Sequence, residues 1–158
     1  MTMIRADLSL NAYIERRLGH TPREQLINFL AKPFGAESFA AFWRYWNPVF
    51  GYYLRYAVYQ PLRTYLPRWL AVWLTFCVCG LVHGLITLIL AWLNGQRAFV
   101  LLALLFFALL GLVVVVTEAA RLRFTRVPRV CRWLIHGVTI VLCYRLAEYV
   151  VDHFLSRW

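Results

Sequence analysis

Three long apolar runs constrain the fold of this chain most strongly. They cover about residues 68–93, 98–117 and 130–151. A helix needs roughly 20 apolar residues to cross a bilayer, because each residue adds only ~1.5 Å. Hydrophobic residues make up 62% of the chain, and the mean hydropathy of +0.61 is too high for an ordinary soluble domain. We therefore expect an all-α integral membrane protein with about three transmembrane helices.

Residues 1–36 are predicted to form amphipathic helices on the cytoplasmic membrane surface. Residues 7–18 place their apolar side chains on one helical stripe. Thr21 and Glu24 have the spacing of a capping box, which opens a second helix that we expect to end before Pro33. Neither segment is long or apolar enough to span a bilayer, so both are expected to lie in the interface.

The remainder, residues 37–158, is expected to form the membrane domain. Its first part, residues 37–66, is rich in Trp and Tyr. Rings with a polar tip favour the headgroup region, which predicts interfacial or re-entrant helices here. Pro48 should break these helices, and residues 62–66 should form a short connector between two prolines.

The charge distribution predicts the orientation of the chain. The formal net charge is +10. Residues 94–97 contain one arginine, whereas residues 119–132 contain five. The positive-inside rule places the N-terminus and the arginine-rich loop in the cytoplasm and the C-terminus outside. Because the arginines flank apolar spans, we expect anionic phospholipids as partners and no nucleic acid.

Arginine supplies all but one of the 17 basic residues. This bias is typical of a GC-rich bacterial genome, so the expected location is the bacterial inner (plasma) membrane, with several passes. The cysteines, Cys77, Cys79, Cys131 and Cys143, lack the paired spacing of a zinc or redox site. We expect no bound metal.

His83 is the main candidate for a functional side chain. It lies 15 residues from Arg68 and 11 from Asn94, or roughly 22 Å and 16 Å from the two ends of its span. An ionisable side chain at that depth is costly and marks a functional site by default. Its neutral imidazole could act as a general base, and the Asn47 amide could donate to an oxyanion. Small residues beside the histidine, Gly80 and Gly84, would let another helix or an acyl chain approach closely.

Three short sequence runs follow one another between about residues 38 and 90. They are Phe42-Trp43-Arg44-Tyr45-Trp46-Asn47-Pro48, Tyr59-Gln60-Pro61-Leu62-Arg63 and Cys79-Gly80-Leu81-Val82-His83-Gly84. In residue type, order and separation they resemble the central block of the membrane-bound O-acyltransferase (MBOAT) family.

This resemblance implies that His83 is the catalytic base and Asn47 its polar partner. The donor would be acyl-CoA or an acyl carrier thioester, with no tightly bound cofactor, and the acceptor a hydroxyl of a lipid or glycan. Substrate-binding residues would be Trp43, Arg44, Tyr45, Trp46 and Tyr59. The basic residues Arg121, Arg123 and Arg126 are candidates for binding the donor phosphates or anionic lipid.

Other polar residues of the spans have simpler interpretations. His136 repeats the Leu-x-His-Gly context of His83 but lies close to the basic loop, where we expect it to contact lipid headgroups. Arg145 and Glu148 have the i,i+3 spacing of a helical ion pair. Glu118 is expected to pair with Arg121.

Two functions follow from these patterns. The first is a membrane-bound acyltransferase that works as a homo-oligomer or with another membrane protein. The second is a non-catalytic accessory subunit of a larger membrane complex with a lipid-binding role. In the second case His83 would only hydrogen-bond within a helix bundle, and the aromatic run would be an interfacial belt.

Overall fold

The computed structural model describes residues 9–93 and 100–155, and all regular elements in these ranges are helical. The helices are α1 (Leu10–Leu18), α2 (Pro22–Phe34), α3 (Phe39–Tyr45), α4 (Pro48–Tyr53), α5 (Gln60–Tyr65), α6 (Arg68–Leu93), α7 (Val100–Ala119) and α8 (Arg129–Val150). Two π-helical turns, Leu54–Tyr59 and Val151–Leu155, connect α4 to α5 and extend α8. The predicted all-α class is confirmed. Residues 1–8, 94–99 and 156–158, which the predictions above include, lie outside the described residues.

Three of the helices match the predicted spans. α6, α7 and α8 contain 26, 20 and 22 residues. Each is long and apolar enough to cross a membrane. The start of α6, the end of α7 and both ends of α8 agree with the predicted ones to within two residues. Pro67 and Pro128 precede α6 and α8. The predicted start of the second span, residue 98, lies outside the described residues.

The closest helix packing is between α6 and α7, and glycine makes it possible. A Cβ on Gly80 would lie only 2.8 Å from the backbone oxygen of Ala103, and one on Gly84 would lie 3.0 Å from that of Val100. Contacts this short leave no room for a side chain, so the two backbones touch. The expected close approach of another helix at these glycines is confirmed.

The start of α2 is as predicted, whereas its end is not. The Glu24 N–H donates to Thr21 Oγ1 and the Thr21 N–H donates to Glu24 Oε2, both at 3.2 Å, so the predicted capping box is confirmed. The predicted end before Pro33 is wrong, since α2 continues to Phe34. Proline in the last turn removes only one intrahelical hydrogen bond, and the helix tolerates that loss.

The predicted connector at residues 62–66 is also wrong, because α5 continues to Tyr65. The chain enters α5 from a π-helical turn in which the Gln60 N–H donates to the Arg55 carbonyl, five residues back. This change of hydrogen-bond pattern directly before Pro61 lets the proline enter a helical segment. The predicted break at Pro48 is confirmed, since α4 starts there.

The core holds α3 against the membrane helices. Its fully or nearly fully buried members are Phe39, Leu110, Val114 and Cys143, from α3, α7 and α8. Trp43 of α3 packs beside them and contacts Phe76 of α6 with ring centroids 5.3 Å apart. The short aromatic helix is therefore fixed by contacts to all three predicted spans, and the residues that follow it are fixed with it.

Candidate functional site

His83 lies on α6 with one ring nitrogen engaged by its own helix. Its Nδ1 is 2.9 Å from the carbonyl oxygen of Cys79. A carbonyl only accepts, so this contact requires the proton on Nδ1 and leaves the lone pair of the neutral ring on Nε2. The ring is half-buried between Phe50 and Phe107, with centroids 5.0 Å and 4.6 Å away. Such an imidazole is oriented and in the tautomer that a general base needs.

The histidine lies at one end of a cavity of about 420 Å³, called here the His83 cavity. One stripe of α6 forms much of its wall: Arg68, Val72, Thr75, Phe76, Cys79 and His83. These positions recur every three or four residues, so they share a helical face. The first and the last are 15 positions apart, or roughly 22 Å along the helix. The cavity therefore runs from the polar start of α6 to the histidine.

Asn47 lines the same cavity from the junction of α3 and α4. Its backbone is left-handed, with φ of 40°, a conformation that asparagine tolerates better than most residues. Its Oδ1 accepts the N–H of Phe50 at 3.1 Å and caps α4. The amide NH2 makes no hydrogen bond to any residue the structure describes, so it remains available as a donor. Phe50 connects the two candidates, since its backbone contacts Asn47 and its ring contacts His83.

The aromatic residues predicted to bind substrate separate into two groups. Trp43, Trp46 and Tyr59 line the His83 cavity, together with Arg44. Tyr45 lies outside its lining, with Lys32 5.9 Å from its ring centroid. The difference follows from the helix, because Tyr45 is two residues from Trp43 and so points to another side of α3.

A second cavity, the Glu118 cavity, adjoins the first. It has a volume of about 550 Å³ and shares Ala40, Arg44, Arg68 and Glu118 with the His83 cavity. Arg121 and Arg123 line it. Arg126, the third predicted phosphate ligand, lines neither cavity. Two of the three arginines thus lie where a ligand could extend from the basic loop toward the histidine.

An ion pair stands between the two cavities. Arg68 Nη2 lies 2.8 Å and 3.1 Å from the two carboxylate oxygens of Glu118. The predicted pairing of Glu118 with Arg121 is wrong, because α7 ends at Ala119 and Arg121 turns away with φ of 54°. The sequence carried no signal for a partner 50 residues away, apart from the position of both charges at span ends.

One protein-family model matches this chain. The model of MBOAT, the membrane-bound O-acyltransferase family, matches residues 26–149. The chain belongs to the membrane-bound O-acyltransferase family. The match extends well beyond the block at residues 38–90 and covers α6, α7 and all but the last residue of α8. No curated protein and no solved structure gives a match. Members of this MBOAT family use acyl-CoA or another acyl thioester as donor.

His136 of this MBOAT chain is buried away from the surface where lipid headgroups would lie. His136 is fully buried, with its Nε2 3.0 Å from the carbonyl oxygen of Ala36. Phe39, Phe42 and Phe124 surround the ring at centroid distances of 5.3–5.9 Å. The predicted headgroup contact is wrong because the loop between α2 and α3 folds over this part of α8. Only the tertiary structure contains that information.

The remaining polar pair of the MBOAT chain is as predicted. Arg145 Nη1 lies 2.7 Å from Glu148 Oε2, on one side of α8. Within the residues that the structure describes, His, Cys, Asp and Glu side chains nowhere gather as a set of three metal ligands.

Proposed function

We propose that this MBOAT protein is an O-acyltransferase that moves an acyl group from a cytoplasmic thioester donor to a hydroxyl of a lipid or glycan. The observation that carries the proposal is the shared cavity of His83 and Asn47. In it the histidine has Nδ1 engaged, which leaves Nε2 free to accept a proton. The asparagine keeps its NH2 free to donate.

The transfer step follows from these two groups. His83 Nε2 takes the proton of the acceptor hydroxyl as its oxygen attacks the thioester carbonyl carbon. The Asn47 NH2 donates to the oxygen that becomes negative in the tetrahedral intermediate. The C–S bond then breaks, the new ester forms, and the leaving thiolate takes the proton from the imidazolium. One ester and one free thiol result, and the histidine returns to its starting state.

The donor's phosphates are proposed to bind in the Glu118 cavity. Arg44, Arg121 and Arg123 line it and present guanidinium groups, which bind phosphate well. The shared wall then lets the acyl end reach the His83 cavity. There Trp43, Trp46 and Tyr59 offer an apolar path toward the histidine. Positive-inside counting puts this entrance on the cytoplasmic side, where thioester donors occur.

An assembly with a second chain is part of the proposal. Arg145 lies on a predicted span with a side chain that is 71% exposed. A charge facing lipid is costly, so an outward-facing Arg145–Glu148 pair favours contact with another protein helix. This same observation also favours the second candidate, an accessory subunit of a larger complex.

The test is transfer by the protein purified with its native partners in nanodiscs made from its own membrane lipids. Acyl-CoA donors of several chain lengths are added, and thiol release and acylated products are followed by mass spectrometry. Acceptor-dependent thiol release with matching ester formation supports the acyltransferase. Absence of transfer with every donor, together with stoichiometric co-purification in a large unrelated complex, would leave the accessory subunit instead.

A further inference from the structure

A third cavity, the Lys32 cavity, lies beside the Glu118 cavity and shares Ser38, Arg44 and Arg123 with it, but neither His83 nor Asn47 lines it. Its volume is about 520 Å³, within the range of small-ligand sites. The end of α2, the loop that follows it, α3, the loop at residues 120–128 and the start of α8 form its wall. Five basic side chains line it, Lys32, Arg44, Arg123, Arg129 and Arg132, against the single carboxylate of Glu37.

We propose that the Lys32 cavity binds a phosphate group, that of an anionic phospholipid headgroup. The first argument is the unbalanced charge. Glu37 is 57% exposed and comes no closer than 3.9 Å to the guanidinium of Arg132. A concave surface with several cations and one weakly placed anion concentrates positive potential and attracts an anion.

Three of the cations are held by neutral groups, the first being Lys32, whose Nζ donates to the carbonyl oxygen of Arg17 at 2.7 Å. The guanidinium of Arg132 donates to the carbonyl oxygens of Gly35, Thr125 and Val127 at 2.9–3.2 Å. Arg129 donates to the carbonyl of Ala31 at 3.2 Å. Carbonyl oxygens satisfy the N–H groups but leave the net charge in place. These bonds fix the wall of the cavity and preserve its positive potential.

Two further cations are free to bind. Among the described residues, nothing forms a hydrogen bond or ion pair with the guanidinium groups of Arg44 and Arg123. Both side chains line the Lys32 cavity. A guanidinium can donate two parallel N–H bonds to a phosphate, which makes it the strongest phosphate ligand among side chains.

The position of the Lys32 cavity indicates that the phosphate belongs to a phospholipid. α7 ends at Ala119 and α8 starts at Arg129, and the cavity is lined from the segment between them and from the start of α8. If both helices cross the bilayer, this level is the boundary where phospholipid phosphates lie. Each basic side chain at that level strengthens the binding of anionic lipid by roughly fivefold.

The experiment is native mass spectrometry of the full chain, purified in detergent and stripped of lipid. It is titrated with dioctanoyl phosphatidylglycerol or with dioctanoyl phosphatidylcholine, and in a separate arm with inorganic pyrophosphate. The test variant is Lys32→Gln/Arg129→Gln, which removes two charges that line this cavity alone. The matched control is Arg16→Gln/Arg23→Gln, which removes two exposed charges that line none of the three cavities described.

We expect saturable binding of phosphatidylglycerol, at least tenfold tighter than that of phosphatidylcholine. The test variant should weaken it roughly tenfold or more, and the control less than twofold. If pyrophosphate binds as tightly as the lipid, with the same loss in the test variant, the phosphate site stands and its source is soluble. Equal loss in both double variants, or equal binding of both lipids, would overturn the proposal.

If the test variant fails to fold, as judged by circular dichroism, Lys32→Gln alone must weaken binding about threefold or more. None of these readings depends on acyl transfer.

Discussion

Two histidines in nearly the same local sequence acquire different properties from their surroundings. His83 uses Nδ1 to bond its own helix and lines a cavity. His136 uses Nε2 to bond the Ala36 carbonyl, and its Nδ1 is buried without a partner among the described residues. A base needs a nitrogen that a substrate can reach, so only the first fits the proposed transfer. The second connects α8 to the loop that precedes α3.

Replacement of His136 should therefore affect stability more than chemistry. His136→Phe keeps a ring among the surrounding phenyl groups but leaves the Ala36 carbonyl without its donor. We expect a loss of about 1–3 kcal/mol in the free energy of unfolding, since that carbonyl is left unsatisfied. Transfer per folded molecule should change only a few-fold. Thermal unfolding and a transfer assay normalised to folded protein measure the two effects. A folded His136→Phe protein without transfer would contradict this assignment.

Asn47 performs two tasks that can be separated. Its Oδ1 caps α4, and its NH2 is the proposed oxyanion donor. Asn47→Asp keeps an acceptor for the cap and removes the donor, so we expect about 10²–10³-fold slower transfer with little change in melting temperature. Asn47→Ala removes both and should also cost about 1 kcal/mol of stability. If the Asp and wild-type proteins transfer at the same rate, the amide has no part in the reaction.

At the residue scale, the sequence predicted those features that depend only on the spacing of residues within one helix. His83 in mid-span, the Arg145–Glu148 pair and the capping box are of this kind. The Arg68–Glu118 pair and the burial of His136 were missed because each depends on a residue at least 50 positions away. For Glu118 the i,i+3 rule failed because the helix ends one residue later.

At the level of elements, α6 uses different residues for packing and for the cavity. Gly80 and Gly84 contact the α7 backbone, while the stripe that ends in His83 lines the cavity. The distance between α6 and α7 is therefore set by the absence of side chains at two positions. The close packing of α6 and α7 also holds Phe107 of α7 against the His83 ring.

Gly80→Val should separate α6 from α7. Its Cβ would lie within 3.0 Å of the backbone of both Ala103 and Leu104, which cannot move aside as a flexible side chain could. We expect a stability loss of about 1–3 kcal/mol and weaker transfer. The matched control is Gly137→Ala on α8, where a new Cβ meets nothing within 4 Å. It should be neutral or stabilise by up to about 1 kcal/mol. Similar melting temperatures for both variants would contradict the packing described here.

The elements differ in how well their sequences predict them. The three predicted spans were correct because length and hydropathy alone identify them. The segment from α2 to α5 was less predictable, because proline was interpreted as a terminator. Pro33 occupies a last turn and Pro61 follows a π-helical turn, and both are tolerated there. Whether the helices of residues 37–66 lie in the interface stays a prediction.

At the scale of the whole molecule, the orientation of the chain decides which compartment supplies the donor. The arginines that line the Glu118 and Lys32 cavities belong mainly to the ends of α7 and α8 and the loop between them. Positive-inside counting assigns that side to the cytoplasm. The proposed binding of the donor's phosphates in the Glu118 cavity depends on this orientation.

Cysteine labelling tests the orientation directly. Thr125 is exposed in the loop between α7 and α8, and Cys131 is exposed nearby. In a Cys131→Ser background, Thr125→Cys should react with a membrane-impermeant maleimide in inverted vesicles and not in intact cells. The Cys131→Ser parent reports background labelling. The reverse pattern would place the cavities on the outer side.

The shape of the candidate site could not be predicted from the sequence, and the roles of His83 and Asn47 stay predictions. His83 and Asn47 both line the His83 cavity, whereas Tyr45 and Arg126 line neither it nor the Glu118 cavity. Cavities form between segments, so the side on which a residue faces depends on packing that local patterns do not contain. Membership of the MBOAT family supports an acyltransferase, and the roles of the individual residues rest on this geometry.

One measurement tests the account most directly: single-turnover acyl transfer by the wild-type protein and by His83→Gln, with matched loading in nanodiscs. We predict that the substitution slows transfer about 10²–10⁴-fold while folding and donor binding persist, because it removes only the base. His153→Gln, which changes an exposed histidine outside the His83 cavity, is the control and should transfer at the wild-type rate. Wild-type transfer by a folded His83→Gln protein would contradict the central claim.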